Sequence, residues 1–199
     1  MRFAVALHNI RSIHNVGSIF RTADAAGAER IYLCGITPAP LDRFGALRPD
    51  FSKVALGAQD YVAWESAKSS TAVLKRLRRD GWRIFAVEQS SRATPYFKIP
   101  ARETRAGKFC LVMGAEVRGL PPSVLALADR VLEIPMSGKK ESLNVAVAFG
   151  VVAFGLRRPS PRPRAAAPLP HSDATTRRLG EHPSRRGGRS GMVGWKHRR

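Results

Sequence analysis

Five short apolar runs mark the first 134 residues, at 2–7, 30–34, 82–87 (WRIFAV), 109–113 (FCLVM) and 130–134 (RVLEI). None alternates cleanly between apolar and polar, which is the pattern of strands covered on both faces. Segments of helical period lie between them. Residues 64–79 carry Trp64, Ala67, Thr71, Leu74 and Leu77 at helical spacing, with Gly81 as the stop. Strands alternating with helices imply an α/β fold, a mostly parallel sheet flanked by helices. Residues 35–62 break the rhythm, with prolines at 38, 40 and 49. They read as a long excursion with little core of its own, and long loops inside domains are commonly functional.

The pattern stops at Leu156, giving one domain over 1–156 and a tail over 157–199. The tail is rich in Pro, Gly, Ser and Arg and poor in bulky aliphatics, so it is expected to be disordered. Formal charge is +19: 22 basic and 13 acidic side chains lie in residues 1–156, and 12 and 2 in residues 157–199. Such a balance favours a polyanionic partner through counterion release, leaving RNA, DNA and acidic membrane all open. The tail is either an electrostatic tether or a passive extension. If it tethers, deleting it flattens the dependence of log affinity on log salt; an unchanged slope makes it a bystander.

Several classes drop out. Cys34 and Cys110 are too few for a disulfide scaffold, have no zinc spacing, and read as buried small side chains. The longest apolar stretch, 143–156, has 14 residues, short of the roughly 18–20 that span a bilayer. The N-terminus offers no secretory signal, so a cytoplasmic protein without membrane or metal is expected. No dinucleotide fingerprint, P-loop or nucleophile elbow is present.

Three polar clusters stand beside expected strand ends. In the first, Asn15 is a plausible helix N-cap. Val16, Ile19, Phe20 and Ala23 form the apolar stripe, Gly27 the stop, and Arg21 lies away from the stripe, one turn before Asp24. Arg21 is either a functional cation or half of an ordinary surface pair with Asp24. The second, Gly114-Ala-Glu116-Val-Arg118-Gly119-Leu-Pro-Pro122, places a lone carboxylate among small residues where open α/β sheets bind ligands. It reads equally as a turn before a helix over 122–128. The third runs from Ile134 through Met136, Gly138, Lys139 and Lys140 to Ser142, Leu143 and Asn144. Ser142 or Asn144 caps a final helix that is apolar all round and therefore buried on more than one face, in part against a second subunit.

In this order the clusters resemble the three motifs of the SpoU (TrmH-type) branch of the SPOUT RNA methyltransferases. The first is similar to N-x-G-x-[IL]-x-R-[TS]-A, met by Asn15, Gly17, Ile19, Arg21, Thr22 and Ala23. The second is similar to G-x-E-x-x-G-[LM], met by Gly114, Glu116, Gly119 and Leu120, although Val117-Arg118 replaces a frequent Gly-acid pair. The third, I-P-M-x-G-x-x-x-S-L-N-V, is met by residues 134–136, 138 and 142–145.

The resemblance covers about residues 3–156. It implies S-adenosylmethionine as cofactor, methylation of a ribose 2′-hydroxyl in tRNA or rRNA, and a homodimer. It also implies a C-terminal deep trefoil knot involving the strands near 82–87, 109–113 and 130–134 and closed by the last helix. Sequence pattern alone argues against a knot. The alternatives are a base methyltransferase or a catalytically idle RNA-binding protein on the same fold.

By the same resemblance Arg21 stabilises the developing oxyanion or a phosphate. Asn15, Asn144 and Glu116 align that network, and Ser142 orients acceptor or cofactor. Gly114, Ile134, Met136 and Leu143 form the cofactor pocket, with Val87 and Glu88 as a further wall. Lys53, Lys68, Lys75, Arg76, Arg78, Arg79, Lys139 and Lys140 are the candidate RNA contacts.

Overall fold

The computed structural model describes residues 2–157 except residue 106; the expected disordered tail, from residue 158 on, lies outside the described residues. Seven strands are β1 (Arg2–His8), β2 (Arg30–Cys34), β3 (Ala63–Ala67), β4 (Trp82–Val87), β5 (Thr94–Pro95), β6 (Lys108–Met113) and β7 (Arg130–Glu133). They form one sheet in the order β3-β2-β1-β6-β4-β7-β5, with every pairing parallel. Six helices flank it: α1 (Ile13–Ala26), α2 (Pro49–Ala55), α3 (Ser70–Arg79), α4 (Ala101–Arg105), α5 (Pro122–Leu125) and α6 (Val145–Leu156).

Period-two alternation sorts the strand residues onto two faces. Phe3, Val5, Leu7, Ile31, Leu33, Phe85, Phe109, Leu111 and Met113 pack under α1, α2 and α6. Ala4, Ala6, Tyr32, Cys34, Ile84, Ala86, Cys110 and Val112 pack under α3 and α5. Both faces of the central strands are thus buried, which explains the unbroken apolar runs. Phe3 is tilted against Phe109, with centroids 4.9 Å apart, and Phe149 of α6 lies 6.4 Å from Phe3. Both cysteines are buried and free, and burial pushes the Cys34 thiol up to about 11 and Cys110 higher still. No helix among the described residues is long and apolar enough to cross a membrane.

Four expectations are corrected. Residues 64–79 are not one helix: β3 pairs along β2, and α3 restarts where the Ser69 hydroxyl accepts from the Ala72 amide at 3.3 Å. Trp64 therefore belongs to an edge strand, Lys68 falls in the intervening turn, and α3 buries Ser70, Val73, Leu74 and Leu77. Residues 35–62 do own core: Phe51, Ala55, Ala58 and Val62 are buried with α1, and Phe20 meets Phe51 edge-on at 5.1 Å. The helix expected over 122–128 ends at Leu125. Ser12, not Asn15, caps α1, its hydroxyl accepting from the Asn15 amide at 3.2 Å.

Gly27 ends α1 in the left-handed region (φ 71°), as its position suggested. Of the two candidate caps for α6, Asn144 serves, accepting from the Ala146 amide at 2.9 Å. Among the described residues α6 is buried along one side only. Val147 and Phe154 remain 53% and 41% exposed.

Candidate active site at the carboxyl edge of the sheet

Parallel pairing sends every strand's carboxyl end to one edge, where open α/β sheets bind ligands. A cavity of about 690 Å³ opens there beyond β4, β6 and β7, within the ~300–1,000 Å³ typical of small-molecule sites. Its wall includes Val87, Glu88, Gly114, Ile134, Met136 and Leu143, all six residues expected to form a pocket. Glu116, Ser142 and Asn144 line it too. Gln89, Glu133 and Glu141 also line it, at positions the sequence motifs do not specify; only Glu133, an acid within the apolar run RVLEI, carries a signal in the sequence.

The three motifs meet through side chains. Asn15 Nδ2 donates to Glu116 Oε1 at 2.8 Å, and Asn144 Nδ2 donates to Asn15 Oδ1 at 3.0 Å. Asn144 Oδ1 in turn caps α6. Residues separated by 101 and 129 positions are thereby joined in one relay. Because Ser12 takes the capping duty, the Asn15 side chain is left to bridge Glu116 and Asn144, which line the cavity although Asn15 itself does not. The loop before it is set by Asn9, in the left-handed region (φ 56°), whose carboxamide oxygen accepts from the Ile36 amide at 3.1 Å. Asn9 Nδ2 also meets His8 Nε2 at 3.1 Å, leaving the His8 Nδ1 proton for Ser70 Oγ at 2.6 Å.

Glu88 has a function that its position alone did not reveal. Its carboxylate accepts from the Leu120 amide at 2.7 Å and the Gln89 amide at 3.1 Å. It thus ties the end of β4 to the 114–120 loop, which folds back through an Ala115–Gly119 bridge. Removing a charged acceptor from an amide costs about 1.5–3 kcal/mol. Glu88→Ala should therefore speed exchange of the Leu120 amide proton by at least about tenfold, measured by hydrogen-exchange NMR. Unchanged protection would refute the clamp.

Arg21 is exposed, does not line the cavity, and among the described residues makes neither a hydrogen bond nor an ion pair, with Asp24 or otherwise. It lies six residues beyond Asn15, about 9 Å along α1. The expected relay of Arg21 with Asn15 is therefore not formed within the chain.

The expected basic surface divides. Arg76 is committed elsewhere, bonding Glu65 at 2.8 and 3.0 Å and lying 5.5 Å over the Tyr32 ring. Arg78 approaches Asp129 at 3.9 Å. Arg78 and Arg79 precede the first residue of β4, at the opposite edge of the sheet from the cavity, roughly 17–20 Å away by strand length. Lys75 is exposed on α3. Lys68, just after β3, and the exposed Lys139 and Lys140, after β7, leave carboxyl ends; Lys53 is exposed on α2.

Residues 2–154 match the SpoU rRNA Methylase family. The chain belongs to that family. A 23S rRNA (guanosine-2′-O-)-methyltransferase RlmB of Ralstonia nicotianae is 33% identical over 150 residues, covering 75% of this chain and 56% of the relative. The chain thus spans little more than half the length of that relative. The AdoMet-bound rRNA methyltransferase of Sinorhizobium meliloti superposes with a TM-score of 0.69 at 30% identity, covering 79% of this SpoU-family chain and 56% of the other. A structure described as giving insight into 2-OH methylation of C/U34 on tRNA has a TM-score of 0.62 at 32% identity and is covered over 93% of its length.

Proposed function

We propose that this SpoU-family chain is an S-adenosylmethionine-dependent RNA methyltransferase acting on a ribose 2′-hydroxyl of a tRNA or rRNA nucleotide. One observation carries the reading: the Glu116–Asn15–Asn144 relay stands at a cavity sized for a small molecule. The near-complete coverage of the tRNA C/U34 structure favours tRNA.

The wall fits the cofactor's chemistry. Leu132, Ile134, Met136 and Leu143 offer apolar surface for an adenine ring, and Glu88, Glu116, Glu133 and Glu141 face one arginine, Arg118, among the described lining residues. An acidic cavity in a chain of charge +19 suits a sulfonium-bearing cation and not another anion. When bound, S-adenosylmethionine supplies an electrophilic methyl group. Val87, Glu88, Gly114, Ile134, Met136 and Leu143 would hold it, while Asn15 and Asn144 fix the acceptor ribose and Glu116 fixes Asn15. Ser142, exposed at the rim, donates to the acceptor phosphate. Arg21 is permanently charged, so it stabilises the 2′-oxygen or its phosphate electrostatically and does not take the proton.

Lys53, Lys68, Lys139 and Lys140 would hold the RNA near the cavity, with Lys75 and Arg79 further out. The exposed Val147 and Phe154 support a homodimer through α6. The knot near the last strands is proposed from the SpoU family membership. The reaction would take place in the cytoplasm. The decisive experiment is mass-spectrometric mapping of 2′-O-methylnucleosides in RNA from cells with and without the gene. A missing 2′-O-methyl mark is expected; a missing base methyl mark would replace the reading, and no change together with cofactor binding would favour the idle protein.

A further inference from the structure

The connection from β2 to α2 carries a feature that the cavity does not use. The Asp42 amide donates to the Ala46 carbonyl at 2.8 Å and the Gly45 amide to the Asp42 carbonyl at 3.1 Å, with Gly45 at φ 82°. This is a type I turn closed by a left-handed glycine, and its two central residues are Arg43 and Phe44. Leu41 and Leu47 pair across it, and the Arg48 amide closes it on the Pro40 carbonyl at 2.9 Å. The one carboxylate in the turn, Asp42, accepts from the amides of Phe44 (2.8 Å) and Ala46 (2.9 Å).

Every backbone constraint thus fixes a tip whose aromatic ring is left in water. Phe44 is 79% exposed, and the Arg43 guanidinium carbon sits 4.6 Å from its ring centroid. Isolated exposed apolar side chains are ordinary; an aromatic ring held on a bonded turn with an arginine over one face is a stacking platform. The loop leaves the carboxyl end of β2, two strand spacings or about 10 Å from β6 and the cavity. Arg11, in the neighbouring β1–α1 loop, is exposed as well; Asp50 at the start of α2 is the exposed acid following the hairpin.

We propose that Arg43 and Phe44 hold an unpaired nucleotide of the RNA substrate, its base stacked on the Phe44 ring and its phosphate met by the Arg43 guanidinium. The inference rests on the RNA reading above and adds the single-stranded character of what is gripped. RNA is favoured over a protein partner because the ring comes with a cation and the chain carries a large positive excess.

The test measures fluorescence anisotropy of a labelled 15-nucleotide single-stranded RNA and of its duplex with the full chain. Phe44→Ala should weaken single-strand binding about tenfold, leave duplex binding within about twofold, and leave the salt slope unchanged because no charge is lost. Phe44→Trp should retain affinity and show indole quenching on binding. Arg43→Ala should lower the salt slope by about one. Wild-type affinity in Phe44→Ala, equal weakening of strand and duplex, or no single-strand binding by the wild type overturns the proposal. Cofactor binding and methyl transfer to total RNA are measured in parallel. Absent transfer with the Phe44 effect intact would sink the methyltransferase reading alone.

Discussion

Arg21→Ala is expected to lower methyl transfer by roughly 10²–10³-fold, the range seen when one preorganised donor to a developing oxyanion is removed. S-adenosylmethionine affinity should stay within about twofold. The two halves of this expectation have separate grounds. Arg21 is exposed and absent from the cavity wall, so its loss leaves that wall untouched. The same exposure, with no partner among the described residues, leaves its guanidinium available to the RNA. Arg21→Lys separates charge from geometry: an ammonium keeps the charge but loses the planar fork, so partial activity would mark a mainly electrostatic role. Calorimetry and a tritium-transfer assay check both halves. Parallel loss of binding and transfer would show that Arg21 supports the cavity and does not face the acceptor.

Five of the seven described strands were legible because burial leaves uninterrupted apolar text, and β4 spans the same residues as its run; the two-residue β5 has no run of its own. The β3 strand was not legible, because Trp64 and Ala67 fit a helical stripe by coincidence of spacing with Leu74 and Leu77. Only Ser69, a capping residue in mid-segment, marked the break. The Ser12 cap was missed for a similar reason: Asn15 satisfies the same preference three residues later. That error conceals part of the chemistry, since a capping Asn15 would spend on a helix amide the Oδ1 that accepts from Asn144. The pocket residues were legible only as motifs. Contacts across 101 and 129 positions leave no trace in local periodicity. Arg76 shows the converse, a basic residue on a basic face whose charge is already met by Glu65 on the edge strand that periodicity overlooked.

Gly114→Ala should reduce S-adenosylmethionine affinity by about 10–100-fold, with Arg21 and the relay residues all intact. A methyl carbon there would lie 2.6 Å from the Gly119 carbonyl carbon and 2.9 Å from the Leu120 nitrogen. Both are backbone atoms, so no side-chain rotation relieves the clash. The 114–120 loop must shift as a unit, against the Glu88–Leu120 bond and the Ala115–Gly119 bridge. Overpacking of this kind costs typically about 1–3 kcal/mol, and here it falls on the wall of the cavity. Gly119→Ala is the informative companion. Its methyl would meet the Glu88 carboxylate and would hold a non-glycine residue at φ 60°, straining the same clamp from the other side. Calorimetric titration of both variants with S-adenosylmethionine, beside a thermal melt, gives the answer. Wild-type affinity in Gly114→Ala would mean that this loop does not shape the cofactor site, and the cavity would then need another ligand.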